Sequence, residues 1–302
     1  MPEKHFKDTL KIVNQIKIDE NTSIEGLINS LKDTGFNAKR LAMVCQIYKE
    51  MVEDDECIKF FGLAGALVPA GMRNIIHDFV KNGFIDVLVT TGATLTHDMA
   101  ETLGYHHLQG DSELRNVDDA KLHEDEINRI YDVFLPNSVY EGIEDFVSQL
   151  KIPDNNMSVS AFLKFLGEQI SDRSSILNIC SEKNIPIFCP AFTDSGLALQ
   201  LGFHHKNLNL NHFKDMLTMV NLAWDAKKQE FALLVEEFQR TSLCNHYNFV
   251  LILPLTQFKL QWIVQNQEDL VELHYKKQYL GEKLMKKRNI LQSFLMLQSH
   301  FL

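Results

Sequence analysis

Long hydrophobic runs, a surplus of positive charge and paired cysteines are all missing from this sequence of 302 residues. No stretch approaches the roughly 20 apolar residues that span a membrane, and the N-terminus MPEKHFKDTL has no apolar signal core, so no membrane association is expected. The formal net charge of −10 argues against a nucleic-acid binder. Five cysteines without close pairing indicate free thiols in a reducing compartment, which predicts a cytoplasmic protein.

Apolar runs alternate with helical patterns after residue 53. The runs CIKFFGLAGALV, IDVLVTTGA and IPIFCPAF predict strands, whereas PAGMRNIIHDFVKNGF, TLTHDMAETLG, ILNICSEKN and HFKDMLTMVNLAWDAKKQ predict helices. Strands that are apolar on both faces are typical of a parallel sheet covered on both sides. We therefore predict a doubly wound, Rossmann-like α/β fold with a mainly parallel sheet.

The N-terminal part has a different pattern, which predicts helices over residues 7–52. The segment IEGLINSLKDTGF places Ile24, Leu27, Ile28 and Leu31 on one helix face, with Gly35 as the expected stop. The predicted organisation is a helical segment over residues 1–52, an α/β domain over 53–229 and a C-terminal tail over 230–302.

Small and polar residues follow three of the predicted strands, at residues 62–69, 90–93 and 193–196. In parallel sheets, ligands bind beyond the carboxyl ends of the strands. Glycine at 65, 92 and 196 allows close backbone approach, and Asp194 could accept a hydrogen bond from a ribose hydroxyl. None of the three turns has the G-x-G-x-x-G pattern, so the residues alone favour a dinucleotide site and leave ordinary βα turns as the alternative.

Histidine pairs occur in YHHLQGD and GFHHKN, but adjacent residues of a strand point to opposite faces. Because no cysteine or carboxylate lies at a familiar zinc spacing, we expect no metal site. His97 differs, because it follows the Thr-Gly-Ala turn and is predicted to face the pocket. The acidic run HEDEINR is interpreted as a solvated helix face.

Four segments together resemble deoxyhypusine synthase in its archaeal or bacterial form. They are FFGLAGALVPAGMRNII, IDVLVTTGATLTHDM, INRIYDVFLPN and IPIFCPAFTDSGLALQ, and the resemblance runs from about residue 20 to about residue 228. It implies an NAD-dependent homotetramer with active sites between subunits. It also implies a reaction, the transfer of the 4-aminobutyl group of spermidine to one lysine of the precursor of translation initiation factor 5A.

The resemblance also implies binding residues. The implied NAD contacts are Gly65, Ala66, Leu67, Val68, Pro69, Thr91, Gly92, Ala93, His97 and Asp194. Thr96 and His97 stand where eukaryotic members have two glutamates for cofactor and polyamine, so both are expected substrate contacts. Leu199 replaces a polyamine-binding aspartate. These departures leave two alternatives open, a homospermidine-synthase-like aminobutyltransferase and a non-catalytic subunit that binds NAD or pairs with an active partner.

The catalytic half of the family is not recognisable after residue 229. Residues 203–280 contain no glycine, and the expected Gly-Gly-Gly-Val-Pro-Lys-Asn turn and Trp-Gly-Lys nucleophile are absent. A reading frame shifted on the gene joins the last base of each codon to the first two bases of the next. Across residues 232–244, the codons allowed in this shifted frame include those for Ile-Ile-Gly-Gly-Gly-Val-Pro-Lys-Asn-Phe-Ile-Met. The same shift permits Glu-Ala-Ile-Ser-Trp-Gly-Lys across 276–283, where the lysine straddles the codons of Glu282 and Lys283.

This ordered agreement indicates a slip of the reading frame near Gln229 to Phe231. The tail over 230–302 would then be the catalytic half of the family read out of frame, and the chain as written would have no catalytic lysine. We therefore predict that this chain is inactive and poorly soluble, with a truly divergent tail as the alternative.

Overall fold

The structure is a computed structural model that describes residues 10–110, 117–225, 228–237, 247–254 and 261–264, with side chains described as far as residue 222. The helices are α1 (Ile24–Leu31), α2 (Phe36–Glu53), α3 (Arg73–Lys81), α4 (Gly92–Thr102), α5 (Asp119–Glu124), α6 (Ser138–Ser148), α7 (Val159–Glu168), α8 (Ile176–Glu182), α9 (Gly196–His204) and α10 (His212–Asp225). The strands are β1 (Cys57–Leu63), β2 (Val87–Thr90), β3 (Leu108–Gln109), β4 (Ile127–Ile130), β5 (Val133–Pro136), β6 (Ile187–Phe188), β7 (Lys228–Glu237), β8 (Tyr247–Pro254) and β9 (Gln261–Val264).

The main sheet has six strands in the order β6-β2-β1-β7-β8-β9. The first four strands are parallel, while β8 and β9 are antiparallel. The predicted α/β class with a parallel sheet and helices is confirmed. The doubly wound, Rossmann-like arrangement stays a prediction.

Both faces of β1 and β2 are covered, which explains their unbroken apolar runs. Phe61 and Leu88 belong to the large core on one face, which also contains buried residues of α3, α4, α7 and α8. Phe60 and Val87 lie on the opposite face, where Met219 of α10 packs against them.

Because successive strand residues alternate between faces, a strand buried on both sides is mostly apolar. Each such buried apolar side chain stabilises the fold by about 1.5–3 kcal/mol. The buried Lys59 of β1 is an exception, and its Nζ pairs with Asp86 at 2.7 Å.

The N-terminal prediction is confirmed only in part. Helices α1 and α2 form, but residues 10–22 are not helical. Helix α1 ends at Leu31, and Gly35 precedes α2 as its N-cap, so the expectation that Gly35 stops the first helix was wrong. No residue of α1 is buried, and Ile24 on its apolar face is 84% exposed.

A small antiparallel sheet, β3-β5-β4, was not predicted. The acidic run HEDEINR was interpreted as a helix face, but α5 ends at Glu124 and β4 begins at Ile127. The backbone turns between them at Glu126, whose φ is +57°. The charged residues therefore lie at a helix end and in a turn. The strand that follows, β4, is short and half-buried.

The helix predicted to begin at Pro69 starts later. Residues 65–72 form two irregular helical turns, and Gly71 has a φ of +86°, which glycine adopts without strain. Regular α3 begins only at Arg73. The irregular turns therefore lie between the end of β1 and the start of α3.

Among the described residues, Cys45, Cys180 and Cys189 are free thiols. In the same part of the chain, no three or more His, Cys, Asp or Glu side chains gather in a group that could hold a metal ion. No described helix combines the length and the apolar character needed to cross a membrane.

Candidate functional site

The three turns singled out in the sequence meet at one edge of the sheet. Strands β1, β2 and β6 are parallel neighbours, so their carboxyl ends lie side by side. A Cβ added to Gly65 would lie 2.7 Å from Cβ of Ala93, and one added to Gly92 would lie 2.4 Å from Cβ of Ser195. Only glycine permits these approaches. The turns therefore form one continuous surface.

The N-terminus of α4 opens onto this surface without a side-chain cap. Thr91 precedes the helix in an extended conformation (φ −102°, ψ 158°), and its side chain caps no backbone N–H of the helix. Its hydroxyl lies 3.4 Å from that of Thr94. Among the described residues, no acceptor binds the N–H groups of residues 92–94. Free N–H groups and the helix dipole at such an N-terminus attract anions. This end of α4 is therefore suited to a phosphate.

Other helix starts near the sheet are closed by side chains. Ser158, Ser175 and Ser195 each accept a hydrogen bond from a backbone N–H of the helix that follows, α7, α8 and α9 respectively. A side-chain cap stabilises a helix by about 1 kcal/mol. The start of α4 differs from these three in lacking a side-chain cap, as the starts of α3 and α6 also do.

His97 belongs to a chain of hydrogen-bonded side chains behind this surface. Its Nδ1 lies 2.9 Å from Nε2 of His107, and Nδ1 of His107 lies 2.6 Å from a carboxylate oxygen of Glu101. The second oxygen of Glu101 lies 3.0 Å from Nδ1 of His106, which is largely exposed. Burial and the neighbouring His107 lower the pKa of His97 to about 4, so its imidazole is neutral at pH 7.

Glu101 carries the charge of this cluster. Burial alone would raise the pKa of its carboxyl group, but hydrogen bonds from His106 and from the backbone and side chain of His107 outweigh that effect. The net result is a lowered pKa, so Glu101 is ionised at neutral pH.

Thr96 lies one position earlier and has a different role. Its side-chain oxygen donates to the carbonyl of Gly92 at 3.0 Å and accepts from the N–H of Leu197 at 3.1 Å. The residue is only 4% exposed, and it joins α4 to the start of α9. Both hydrogen bonds of the hydroxyl are made within the protein. The predicted contact of Thr96 with a substrate stays a prediction.

Comparison with known proteins explains this combination of turns. The deoxyhypusine synthase family profile matches residues 26–250. A probable deoxyhypusine synthase 1 of Methanosarcina mazei is 39% identical over 226 residues, which cover 74% of this chain and 70% of that protein. The chain belongs to the deoxyhypusine synthase family. This family membership makes it an aminobutyl transferase by descent.

Further relatives agree. A probable deoxyhypusine synthase 1 of Archaeoglobus fulgidus is 38% identical over 217 residues, which cover 72% of this chain and 71% of the relative. A crystal structure assigned as a deoxyhypusine synthase from Entamoeba histolytica superposes with a TM-score of 0.54 at 17% identity, over 76% of this chain and 80% of that one. The structural likeness supports the α/β fold, and the sequence likeness supports the family.

The cofactor contacts implied by deoxyhypusine synthase fall into two groups. Half-buried contacts are Gly65, Ala66, Leu67, Ala93 and His97, while Thr91 and Asp194 are exposed, so all of these can be reached by a ligand. Gly92 is buried. Val68 and Pro69 are buried, and Val68 packs in the main core. Any contact from Val68 would therefore come through its backbone. Leu199 on α9 is 57% exposed, whereas Glu282 and Lys283 lie outside the described residues.

Sequence reasoning missed a buried ion pair beneath the site. Asp98 on α4 is fully buried and lies 2.7 Å from Nε of Arg73, which also binds Asp172 at 2.9 Å. Burial would lower the pKa of Arg73, but Asp98 and Asp172 outweigh it and raise the pKa. The only sequence signal was a charged residue between the apolar positions Leu95 and Met99 of a helix.

The same carboxylate closes α8 from a distance in sequence. Asp98 accepts from the N–H groups of Ile176 and Leu177 at 3.1 and 3.0 Å and from the hydroxyl of Ser175 at 2.8 Å. Because Arg73, Asp98 and Ser175 join α3, α4 and α8, the network fixes the direction in which α4 points toward the turns.

Proposed function

We propose that residues 53–229 are the NAD-binding part of a deoxyhypusine synthase. Its reaction is the transfer of the 4-aminobutyl group of spermidine to a lysine of the precursor of translation initiation factor 5A. The proposal rests on the uncapped N-terminus of α4, which lies where three strand ends meet in a chain of this family. A cytoplasmic homotetramer is part of the same proposal.

The residues at this edge fit NAD. The N–H groups at the start of α4 would bind the phosphates, while the turn over residues 65–67 would lie along them because Gly65 allows close approach. The exposed carboxylate of Asp194 would accept from a ribose hydroxyl. NAD bound here supplies the hydride acceptor that converts the amine of spermidine into an imine.

The order of the strands favours the same crevice. Strands β2 and β6 lie on one side of β1 and β7 on the other, so the strand order reverses between β1 and β7. Ligands of doubly wound sheets bind at such reversal points. The turn over residues 65–67, which follows β1, lies at this reversal.

The proposed inactivity follows from what borders the crevice on its other side. In the register of β1 and β7, Leu63 is opposite Leu234, so residues 235–237 extend beyond the end of β1. The chain has Val-Glu-Glu there, where the family resemblance places glycines. A backbone without glycine at these positions approaches a phosphate less closely. The nucleophilic lysine of the family is also absent from residues 230–302.

The frame hypothesis is tested on the gene and on the native protein. Resequencing across the codons of Gln229 to Phe231 is expected to reveal one extra or missing base. The intact mass of the protein from its source is expected to differ from that of the present chain, with a peptide containing Trp-Gly-Lys. An uninterrupted gene and a mass matching these 302 residues would contradict the frame slip and favour a non-catalytic subunit.

The proposed activity is tested with the repaired reading frame. With NAD and spermidine, the repaired protein is expected to label the precursor of translation initiation factor 5A, while the chain as written does not. Labelling of a free diamine in place of the factor would support the homospermidine-synthase-like alternative. A repaired protein that binds no NAD by calorimetry would contradict the site itself.

A further inference from the structure

We propose that Glu101 and His107 are positioning residues that hold His97 as the neutral Nδ1–H tautomer, so that its Nε2 accepts a hydrogen bond from a protonated substrate amine. This inference rests on the proposed function, because it takes an aliphatic polyamine as the ligand of the site. It adds two residues that neither the turns nor the family resemblance singled out.

The direction of the hydrogen bonds follows from the charge of Glu101. A carboxylate only accepts, so Nδ1 of His107, 2.6 Å away, carries the proton. In the proposed arrangement His107 carries a single proton, at Nδ1, so its Nε2 can only accept. The 2.9 Å contact to His97 is therefore a donation from Nδ1–H of His97. Nε2 of His97 is then left without a proton.

The free nitrogen of His97 is available to a ligand. Among the described residues, no side chain or backbone group forms a hydrogen bond with Nε2 of His97, and the atom is not among the fully buried unsatisfied ones. His97 lies one helical turn after Ala93, which contacts the Gly65 turn. Residues four apart share one face of a helix, so His97 and Ala93 are on the face of α4 toward that turn.

The surroundings keep His97 neutral. His107 and Glu101 are the charged or titratable groups whose fields shift its pKa, and burial is the larger cause. Asp98, the next residue on α4, is directed away into the ion pair with Arg73 and the start of α8. A neutral imidazole suits a cationic amine, because its unprotonated nitrogen can accept a hydrogen bond from the N–H of the amine. A protonated imidazole could not accept this bond.

The adjacent histidine provides a matched control. His106 also binds Glu101, at 3.0 Å, but its side chain is 71% exposed, and it has no hydrogen bond to His97. His107 is 6% exposed at its side chain, and its ring packs against that of His97 with centroids 4.9 Å apart and an interplanar angle of 58°. Phenylalanine at either position preserves a ring and removes both nitrogens. His106→Phe removes only a contact with Glu101, whereas His107→Phe removes the contacts with both Glu101 and His97.

The experiment uses the full 302-residue chain, with nitrogen-15 labelled histidine and two-bond proton–nitrogen spectra at pH 7. The wild type is expected to show His97 as the Nδ1–H tautomer. The variant His107→Phe is expected to shift His97 toward the Nε2–H tautomer that the free histidine side chain prefers. His106→Phe is expected to leave the tautomer of His97 unchanged. Glu101→Gln, whose amide oxygen still accepts, is expected to retain the wild-type tautomer.

Spermidine is then added as the probe to the protein with the repaired reading frame, because the chain as written lacks the catalytic half of the family. The nitrogen signal of Nε2 in His97 is expected to move on binding, and His107→Phe is expected to weaken spermidine binding roughly tenfold, the effect of losing one hydrogen bond to a charged donor. A His97 that is Nε2–H in the wild type overturns the tautomer assignment whether or not spermidine binds. Spermidine that binds without moving His97 overturns the role toward the amine but leaves the proposed function standing. Loss of all NAD and spermidine binding in the repaired protein, with the tautomer intact, contradicts the proposed function alone.

Discussion

The start of α8 lies against the middle of α4, yet the N-termini of the two helices are built in opposite ways. At α8, the buried carboxylate of Asp98 and the hydroxyl of Ser175 bind the first N–H groups, and Arg73 neutralises the carboxylate. At α4, no side chain caps the helix, and Thr91 beside it is exposed. Both ends have the same dipole and the same unsatisfied donors. The protein therefore provides its own anion where stability is required and leaves the position free where a ligand is expected.

Two neighbouring residues of α4 show the same division. Asp98 points into the protein and closes α8, whereas His97 lies on the face that carries the candidate site. A helix turns by about 100° per residue, so adjacent positions face different surroundings. One helix thus connects the interior of the fold to the site.

Opening the closed helix start is expected to have the largest effect. Asp98→Ala removes the cap of α8 and leaves Arg73 charged and largely buried, which costs about 3–5 kcal/mol of unfolding free energy. Urea denaturation of the described domain in the full chain measures this loss. Asp172→Ala is the matched control, because that carboxylate also binds Arg73 but is 30% exposed at its side chain. It is expected to cost about 1 kcal/mol, and equal losses for both variants would contradict the special position of Asp98.

Acidification is expected to have the next largest effect, through His97. Its folded-state pKa of about 4 lies below the unfolded value near 6.5, so the unfolded chain binds more protons between these values. The contribution of His97 is fully present above pH 6.5 and is lost as the pH falls toward 4. On the order of 2–3 kcal/mol of stability is involved. Urea denaturation across this range is expected to show a shallower pH slope for His97→Gln, and an unchanged slope would contradict the burial of a neutral imidazole.

Blocking the contact between two turns is expected to have an intermediate effect. In Gly92→Ala the new Cβ would lie 2.4 Å from Cβ of Ser195 and 3.0 Å from the carbonyl oxygen of Phe192. The overpacking is expected to cost about 1–3 kcal/mol and to displace the start of α4. Thermal unfolding measures the loss, and calorimetry with NAD on the repaired protein measures the change in affinity.

Gly202→Ala on α9, where nothing lies within 4 Å, is the control and is expected to stabilise the protein slightly. A Gly92→Ala protein as stable as wild type would show that the turns do not need this close approach.

Closing the open helix start is expected to have the smallest effect on stability, and in the opposite direction to its effect on binding. Thr91→Asp adds a carboxylate at the N-cap of α4 and is expected to gain about 0.5–1 kcal/mol. In the repaired protein it is also expected to weaken NAD binding at least tenfold, because the new carboxylate competes with the phosphates.

Gly35→Asp is the control for this substitution. It adds the same carboxylate to the uncapped start of α2, where a new side chain meets nothing within 4 Å. It is expected to stabilise the helix without changing NAD affinity. Unchanged affinity in Thr91→Asp, measured beside this control, would exclude the start of α4 as the phosphate site.

Much of the α/β region could be predicted from local patterns. The apolar runs of β1 and β2 are buried on both faces, and a helix follows β2 as predicted, although it begins at Gly92, inside the predicted strand and two residues before the predicted start at Thr94. The small sheet was missed because β3 has two residues and β4 and β5 have four each, so these strands carry little periodicity. The end of α1 was misplaced because Gly35 belongs to the start of the next helix.

The sequence by itself determined the order of strands, turns and helices and the family of the chain, because these depend on residues adjacent along the backbone. Only the tertiary structure decided that Gly92 touches Ser195, that Asp98 closes α8 and that His107 reaches His97. The first two contacts join residues far apart in the sequence, and no periodicity encodes them. They exist because parallel strands bring their carboxyl ends to one edge, where a buried charge must find its partners across helices and a glycine must yield space to the neighbouring turn.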